Sequence, residues 1–153
     1  MNNRVWTYVI DKNLGEAELA ALLADGKNFV SQWTAHENKL EASFDIFKKH
    51  LIVVKVNEDV NNASGCSIDK LTRFMKEAGA KYNFDPLNRF MVALKTNDSV
   101  EVVHSSKIKD LLQQGAVSPE TTVYNTAVAN EEEFRSWEQP LKNSWLKKYL
   151  ANV

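Results

Sequence analysis

Two kinds of hydrophobic spacing alternate along this chain, and their order is the feature that most constrains its fold. Apolar residues at every second position predict a strand, and apolar residues three and four positions apart predict a helix. The predicted order is strand, helix, strand, strand, helix, strand, strand, helix, strand, helix. Strand-type spacing occurs at residues 4–10, 41–46, 51–56, 90–94, 100–103 and 122–128, and helical spacing at residues 13–33, 68–82, 105–112 and 131–149.

This order predicts an α+β fold in which helices lie mainly on one face of an antiparallel sheet. The first six elements follow the ferredoxin-like order, and a hairpin, a helix, a strand and a helix extend it. Because residues 4–10 are apolar on both sides, we expect them to form a central strand of that sheet. No internal repeat or long linker divides the chain, so residues 1–153 are expected to form a single α+β domain.

Composition narrows the class of partner. The 19 Lys and Arg residues balance 20 Asp and Glu residues, for a net charge of -1. Such a balance gives no electrostatic reason to expect nucleic acid or an anionic membrane as a partner. No apolar run approaches the roughly 20 residues that span a bilayer, and the N-terminus lacks the apolar region of a signal peptide. We therefore expect a cytoplasmic protein, and the single cysteine, Cys66, is consistent with a reducing compartment.

The segment 64–70 enters the second predicted helix and contains the chain's only thiol. The first N–H groups of a helix have no partner within the helix, so they can stabilise a thiolate or bind an anion. A nucleophilic cysteine also needs a base, and His36, at the expected end of the first helix, is the best candidate. These considerations predict a ligand-binding loop whose members are Ser64, Gly65, Cys66, Ser67, Trp33 and His36.

The same loop also has a purely structural interpretation, which the sequence leaves open. Ser64 or Ser67 would then cap the helix, and Cys66 would pack as a small apolar group. No catalytic residue is therefore assigned, with Cys66 as nucleophile and His36 as base retained as an alternative.

Metal and nucleotide chemistry have little support in the sequence. His36, His50 and His104 are not at the spacing that brings two imidazoles to one ion, so we predict no metal site. The dispersed glycines form no phosphate-binding loop, which excludes Walker-type nucleotide hydrolysis. We expect no cofactor.

An aromatic and apolar stripe runs through the C-terminal region at near-helical spacing. It is large enough either to cover the sheet or to bind a partner, and an exposed stripe would imply a homodimer or a peptide groove. Its members are Phe134, Trp137, Leu141, Trp145 and Tyr149.

The chain resembles a small uncharacterised protein family of bacteria of the Bacteroidetes type. The resemblance covers nearly the full length and rests on residues 33–36, on residues 64–70 and on the tail from Trp137 to Trp145. Members are often labelled ABC transporter ATPases, but the missing phosphate-binding loop means that the resemblance implies no ATPase activity here. A second similarity, over residues 89–125, is to GYF-like modules, some of which bind proline-rich peptides, although the Gly-Tyr-Phe tripeptide is absent.

We therefore expect a non-enzymatic binding or protein-interaction module with exposed aromatic surface, whose partner is a protein or a small molecule. The alternative is a cysteine-dependent enzyme or a redox-responsive protein that uses Cys66.

Overall fold

The computed structural model describes residues 2–152, and it is an α+β protein with antiparallel sheets. Three 3-10 helices lie at Ser105–Lys107, Leu141–Asn143 and Trp145–Asn152. The other elements, in chain order, are β1 (Asn3–Val9), α1 (Glu16–Ser31), β2 (Thr34–Ala35), β3 (Asn38–Lys39), β4 (Ala42–Phe47), β5 (Leu51–Asn57), α2 (Gly65–Tyr82), β6 (Met91–Thr96), β7 (Ser99–His104), α3 (Ile108–Gln113), β8 (Thr122–Tyr124), α4 (Glu131–Arg135) and β9 (Glu138–Pro140).

The first sheet is antiparallel and has the strand order β1-β5-β4. Side chains alternate between the two faces of a strand, so Ile52 and Val54 of β5 face one side while Leu51 and Val53 face the other. Helices α1 and α2 cover the side that carries Ile52. The core there is completed by Leu22, Val30, Phe44, Leu71 and Met75.

A second sheet, with the order β7-β6-β8-β9, packs against the opposite face of the first. The first sheet contributes Val5, Val9, Leu51 and Val53 to their shared core. The second sheet contributes Ala93, Val100 and Tyr124, and Trp137 joins them from the position just before β9. The outer face of the second sheet is covered by α3 and the C-terminal 3-10 helices, through Ile108, Leu112, Leu141 and Leu146. The four layers are therefore helices, sheet, sheet and helices.

The prediction of one sheet with helices on one face is wrong. Among residues 2–152 the strands form three sheets, and helical layers lie on both outer sides of the sheet pair. The sixth predicted element, β6, pairs with β7 and β8 rather than with the first sheet, so ferredoxin-like topology is not established. The third sheet is the β2–β3 hairpin, whose strands of two residues are too short to show a period in the sequence.

Strand β1 is an edge strand rather than a central one. Its two apolar sides are explained by the layers, because Val5 and Val9 face the second sheet while Trp6 and Tyr8 pack against the helical core. Burial raises the pKa of Tyr8 to about 12. Apolar residues on both sides of a strand thus indicate that both of its faces are covered, and they do not show where it lies in the sheet.

Helix α1 begins after Gly15, inside the predicted range 13–33, and the Gly15 backbone N–H donates to the Glu18 carboxylate at 3.2 Å. Further along, Gly26 lies directly against the ring of Phe44, and a Cβ at this position would overlap that ring. The absence of a side chain therefore lets α1 lie close to β4.

Asp25 links α1 to the last turn of α2. Its carboxylate accepts hydrogen bonds from the Tyr82 hydroxyl at 2.6 Å and from the Lys81 ammonium at 2.9 Å. The bond from Tyr82, followed by that from Lys81, lowers the pKa of Asp25. The pKa of Tyr82 is raised, mainly because its hydroxyl is removed from water.

The helical region predicted over residues 131–149, in which Pro140 was expected to start a new helix or to kink the old one, is only partly helical. The region is divided into α4, the strand β9 and two 3-10 helices. Pro140 ends β9, and it cannot donate the backbone hydrogen bond that a continuing helix would require. Within residues 2–152, no helix combines the length and the apolar character needed to cross a bilayer.

Candidate functional site

Ser64 and Ser67 cap helix α2. The Ser64 hydroxyl accepts the Ser67 N–H at 3.1 Å, and the Ser67 hydroxyl accepts the Ser64 N–H at 2.7 Å. The Ser67 hydroxyl in turn donates to the Ser64 carbonyl at 2.8 Å, and Ser67 is buried. Both serines thus hold the first turn in place, as the structural interpretation of this loop predicts. Its other part is wrong, because Cys66 is exposed and does not pack as a small apolar group.

Trp33 belongs to the core. Its indole N–H donates to the Ser67 carbonyl at 2.8 Å, and its ring packs against Trp6 and Phe29 at centroid distances of 5.8 and 5.2 Å. It therefore fastens the end of α1 to the start of α2. Such a buried, hydrogen-bonded indole is not available to a ligand.

Gly65, Cys66 and His36 are exposed. His36 lies in the turn between β2 and β3, where it and Glu37 have positive φ angles of 50° and 69°, rather than at the end of α1. Within the part of the chain that the structure describes, no hydrogen bond joins Cys66 to an imidazole. The residues of the predicted loop thus fall into two groups. Ser67 and Trp33 are buried and are joined to the Ser64 cap, whereas Gly65, Cys66 and His36 are exposed and share no hydrogen bond with one another.

The other two histidines have local partners. His50 lies in the loop between β4 and β5, and its Nδ1 donates to the Ile10 carbonyl at 2.8 Å. Nδ1 of His104 accepts the Ser106 N–H at 3.1 Å, which caps the 3-10 helix that follows β7. No group of three or more potential ligands, counting His, Cys, Asp and Glu over residues 2–152, is placed to hold a metal ion.

The C-terminal stripe is not one continuous surface. Trp137 packs with Phe134 in the core between the sheets, and Leu141 lies in the outer core under the second sheet. Trp145 is 50% exposed, and Leu146 enters the core beside it. Phe90, also exposed, stacks on His104 at 5.9 Å. The expected exposed aromatic surface therefore exists as separate side chains rather than as a stripe.

An open groove lies between α1 and the outer edge of β4, and its volume is about 650 Å³. Val30 of α1 and Phe44 of β4 give it apolar walls, and Val60, on the loop between β5 and α2, is 52% exposed at its border. Lys27 and Ser31 line the α1 side. We call this cavity the β4 groove.

The β4 groove runs along an open sheet edge. The backbone N–H of Asn57 donates to the Glu41 carbonyl at 2.8 Å, and extending the β4–β5 register by one residue from the Ala42–Val56 pair sets these two residues opposite each other. Hydrogen-bonded and non-bonded pairs alternate along an antiparallel ladder. Ser43 and Asp45 therefore bond to β5. The backbone N–H and C=O groups of the alternate residues, Ala42, Phe44 and Ile46, point away from the sheet.

The opposite edge of the same sheet is covered. The Val5 N–H donates to the Ala129 carbonyl at 3.0 Å, and the Thr7 hydroxyl donates to the Thr126 carbonyl at 2.8 Å. Lys55 of β5 reaches Glu131 of the same covering segment at 3.1 Å. Proteins commonly protect exposed strand edges in this way. No such segment covers β4 among residues 2–152.

Two other cavities are polar. One, of about 430 Å³, lies beside β7 and is lined by Asp11, Lys12, His50 and Glu101 among others. The second, of about 500 Å³, is lined by Asp59, Glu131 and Arg135 among others. The cavity beside β7 also lies along an edge strand, but its lining is mainly polar and it lacks the apolar wall of the β4 groove.

Sequence reasoning did not find the β4 groove. The period-two pattern of residues 43–46 marks a half-buried strand, but it does not say that the strand lies at an edge. Val60, a lone apolar residue in a polar loop, was the available signal. Comparison of the chain with protein-family models, with curated proteins and with solved structures gives no match.

Proposed function

We propose that this chain is a non-enzymatic protein-interaction module that binds a polypeptide segment in the β4 groove. The observation that carries the proposal is the combination of an apolar wall, an open volume and unpaired backbone groups in one place. When a peptide binds at a sheet edge, main-chain hydrogen bonds give affinity, and pockets for alternate side chains give specificity.

The position of the groove supports this role. It is built on α1 and β4, two elements held rigidly by Gly26, Phe44 and the core around them. A preformed site loses less conformational freedom on binding than a mobile one. Val60 at the border is an exposed apolar side chain that a bound segment would cover.

The proposed function also includes two family relationships that the sequence suggests. We infer membership of the Bacteroidetes-type family from residues 33–36, 64–70 and 137–145, and a GYF-like relationship from residues 89–125. The latter segment comprises a hairpin, a 3-10 turn, α3 and β8. An interaction role agrees with the peptide binding of some GYF-like modules. A cytoplasmic location is proposed on the single cysteine and the sequence pattern.

The alternative function, with Cys66 as nucleophile and His36 as base, stays a prediction. Cys66 is accessible at the start of α2, which suits a reactive thiol.

The test of the proposed function is selection from a displayed library of random peptides on the immobilised full chain. Selected peptides are then measured against three proteins: the wild type, Val60→Asp in the groove border, and the control Leu87→Asp. Val60 and Leu87 are both exposed apolar residues, at 52% and 40%. The folding of each variant is checked by circular dichroism.

We expect the Val60→Asp variant to bind about tenfold more weakly, equivalent to about 1.4 kcal/mol, and the Leu87→Asp variant to bind like the wild type. Failure to enrich any peptide, or equal affinity for the Val60→Asp variant and the wild type, would overturn the proposed function.

A further inference from the structure

The structure assigns a binding mode to the β4 groove: the partner adds to β4 as an extended strand, with a basic residue facing Asp45. This inference rests on the proposed function and specifies the kind of segment that the groove accepts. It follows from the backbone of β4 and from the charges on its two sides.

Three residues of β4 have backbone groups that pair with no other strand of the 2–152 span. Ala42, Phe44 and Ile46 each direct an N–H and a C=O away from β5, at the two-residue spacing of a strand ladder. An extended segment with N–H and C=O groups at the same spacing can bond to all three residues. A helix cannot, because its own backbone groups are bonded within the helix.

The side chains of the added strand would alternate between two different environments. On the α1 side they would meet Val30 and Phe44, with Lys27 nearby. On the other side they would lie beside Ser43 and Asp45, which are exposed. The partner is thus amphipathic, with apolar residues toward α1.

Charge complementarity selects the residue that faces Asp45. Its carboxylate makes no hydrogen bond or ion pair with any other residue of the 2–152 span. Directly across β4–β5 it faces Val53, which is apolar. Opposite charges in cross-strand pairs are favourable, and like charges are unfavourable. A lysine or arginine in the partner strand is therefore preferred at this position, and an acidic residue is disfavoured.

A second copy of this chain fits less well than a foreign strand. The outward groups allow antiparallel self-pairing centred on Ser43, Phe44 or Asp45. Pairing centred on Ser43 sets Glu41 opposite Asp45, and pairing centred on Asp45 sets two aspartates opposite each other. Two of the three registers thus bring carboxylates together, and the third, centred on Phe44, sets Ser43 opposite Asp45 and supplies no opposite charge to its carboxylate. The partner we assign is a strand of another protein.

The experiment uses peptides selected on the wild-type chain, each resynthesised with single N-methyl groups along its length. A peptide that adds as a strand bonds to β4 through alternate residues, so N-methylation should weaken binding by at least about tenfold at every second position and by less than about threefold between them. The Ala42→Pro variant removes one outward N–H while leaving the β5 ladder intact, and it should weaken binding similarly. Its fold is checked by thermal melting.

The charge is tested by repeating the selection on the Asp45→Lys variant. The preference for lysine or arginine at one peptide position should become a preference for aspartate or glutamate.

If binding depends on the groove but N-methylation has no alternating effect along the peptide, strand addition is overturned and the proposed function stands. Selection of proline-rich peptides would likewise overturn strand addition and leave the proposed function standing. An unchanged charge preference on the Asp45→Lys variant would overturn the assignment of a basic residue. A dimer of the wild type that the Ala42→Pro variant dissociates would identify the occupant as a second copy and overturn the foreign strand.

Discussion

Replacing Gly26 by alanine tests how closely α1 packs on β4. In an exposed helix interior this substitution stabilises by about 1 kcal/mol, because glycine has the greater freedom to lose on folding. In this protein the new Cβ would overlap the ring of Phe44. Phe44 is only 1% exposed and makes an edge contact with Phe74 at a centroid distance of 6.0 Å, so moving the ring aside would break core contacts.

Overpacking of a core typically costs about 1–3 kcal/mol of unfolding free energy. For a clash with a ring held in the core, we expect a cost at the upper end of this range, about 3 kcal/mol. After subtraction of the gain in helix propensity, the Gly26→Ala variant should lose about 2 kcal/mol of unfolding free energy. Urea denaturation followed by circular dichroism measures this as a lower midpoint at an unchanged slope.

Two further variants show whether the Phe44 ring is responsible. Gly65→Ala lies in the first turn of α2, where a Cβ would have nothing within 4 Å, and should be close to neutral. Phe44→Leu makes room for the new methyl group, so the double variant should lose clearly less than the sum of the two single losses. A Gly26→Ala variant more stable than the wild type would refute the close packing described here.

Three other predictions concern separate parts of the molecule. Tyr82→Phe should cost about 1 kcal/mol at neutral pH through loss of the bond to Asp25. Because the pKa of Asp25 is lowered in the folded state, this stabilisation is present above about pH 4 and is lost as the pH falls further, so the urea midpoints of variant and wild type should converge in acid. Trp137→Ala should cost about 3–5 kcal/mol in the same assay, whereas the half-exposed Trp145→Ala should cost less than about 1 and leave the mass in solution unchanged; equal losses would contradict the assigned burial. If Cys66 is a reactive thiol, iodoacetamide should label it faster than free cysteine at neutral pH, and a rate no faster would remove the enzyme alternative.

Prediction from the sequence succeeded best for elements whose apolar residues all face the same core. The stripe of α2, including Leu71 and Met75, is confirmed, and so is the capping role of Ser64. Both hairpins, 41–56 and 90–103, occur close to their predicted positions.

Prediction failed where neighbouring residues are buried in different places. Trp137 and Leu141 suggested one helical stripe, but they lie in two cores on opposite faces of the second sheet. In the same way, β1 is apolar on both faces because a second sheet covers it. Periodicity reports that a side chain is buried and not what buries it.

The candidate site shows a related limit. Cys66 and His36 were predicted as site residues because their side chains can be chemically reactive. The β4 groove instead depends on which strand lies at the sheet edge and on the surface that α1 leaves uncovered. These properties arise from long-range packing, and no short motif encodes them.

Amide hydrogen exchange along β4, measured by NMR with and without a selected peptide, tests the open edge most directly. In the free protein the amides of Ser43 and Asp45 should exchange slowly and those of Phe44 and Ile46 rapidly, because the former bond to β5 and the latter have no partner strand. Addition of the peptide should slow Phe44 and Ile46. Slow exchange of these two amides before any peptide is added, or unchanged rapid exchange in its presence, would contradict strand addition at this edge.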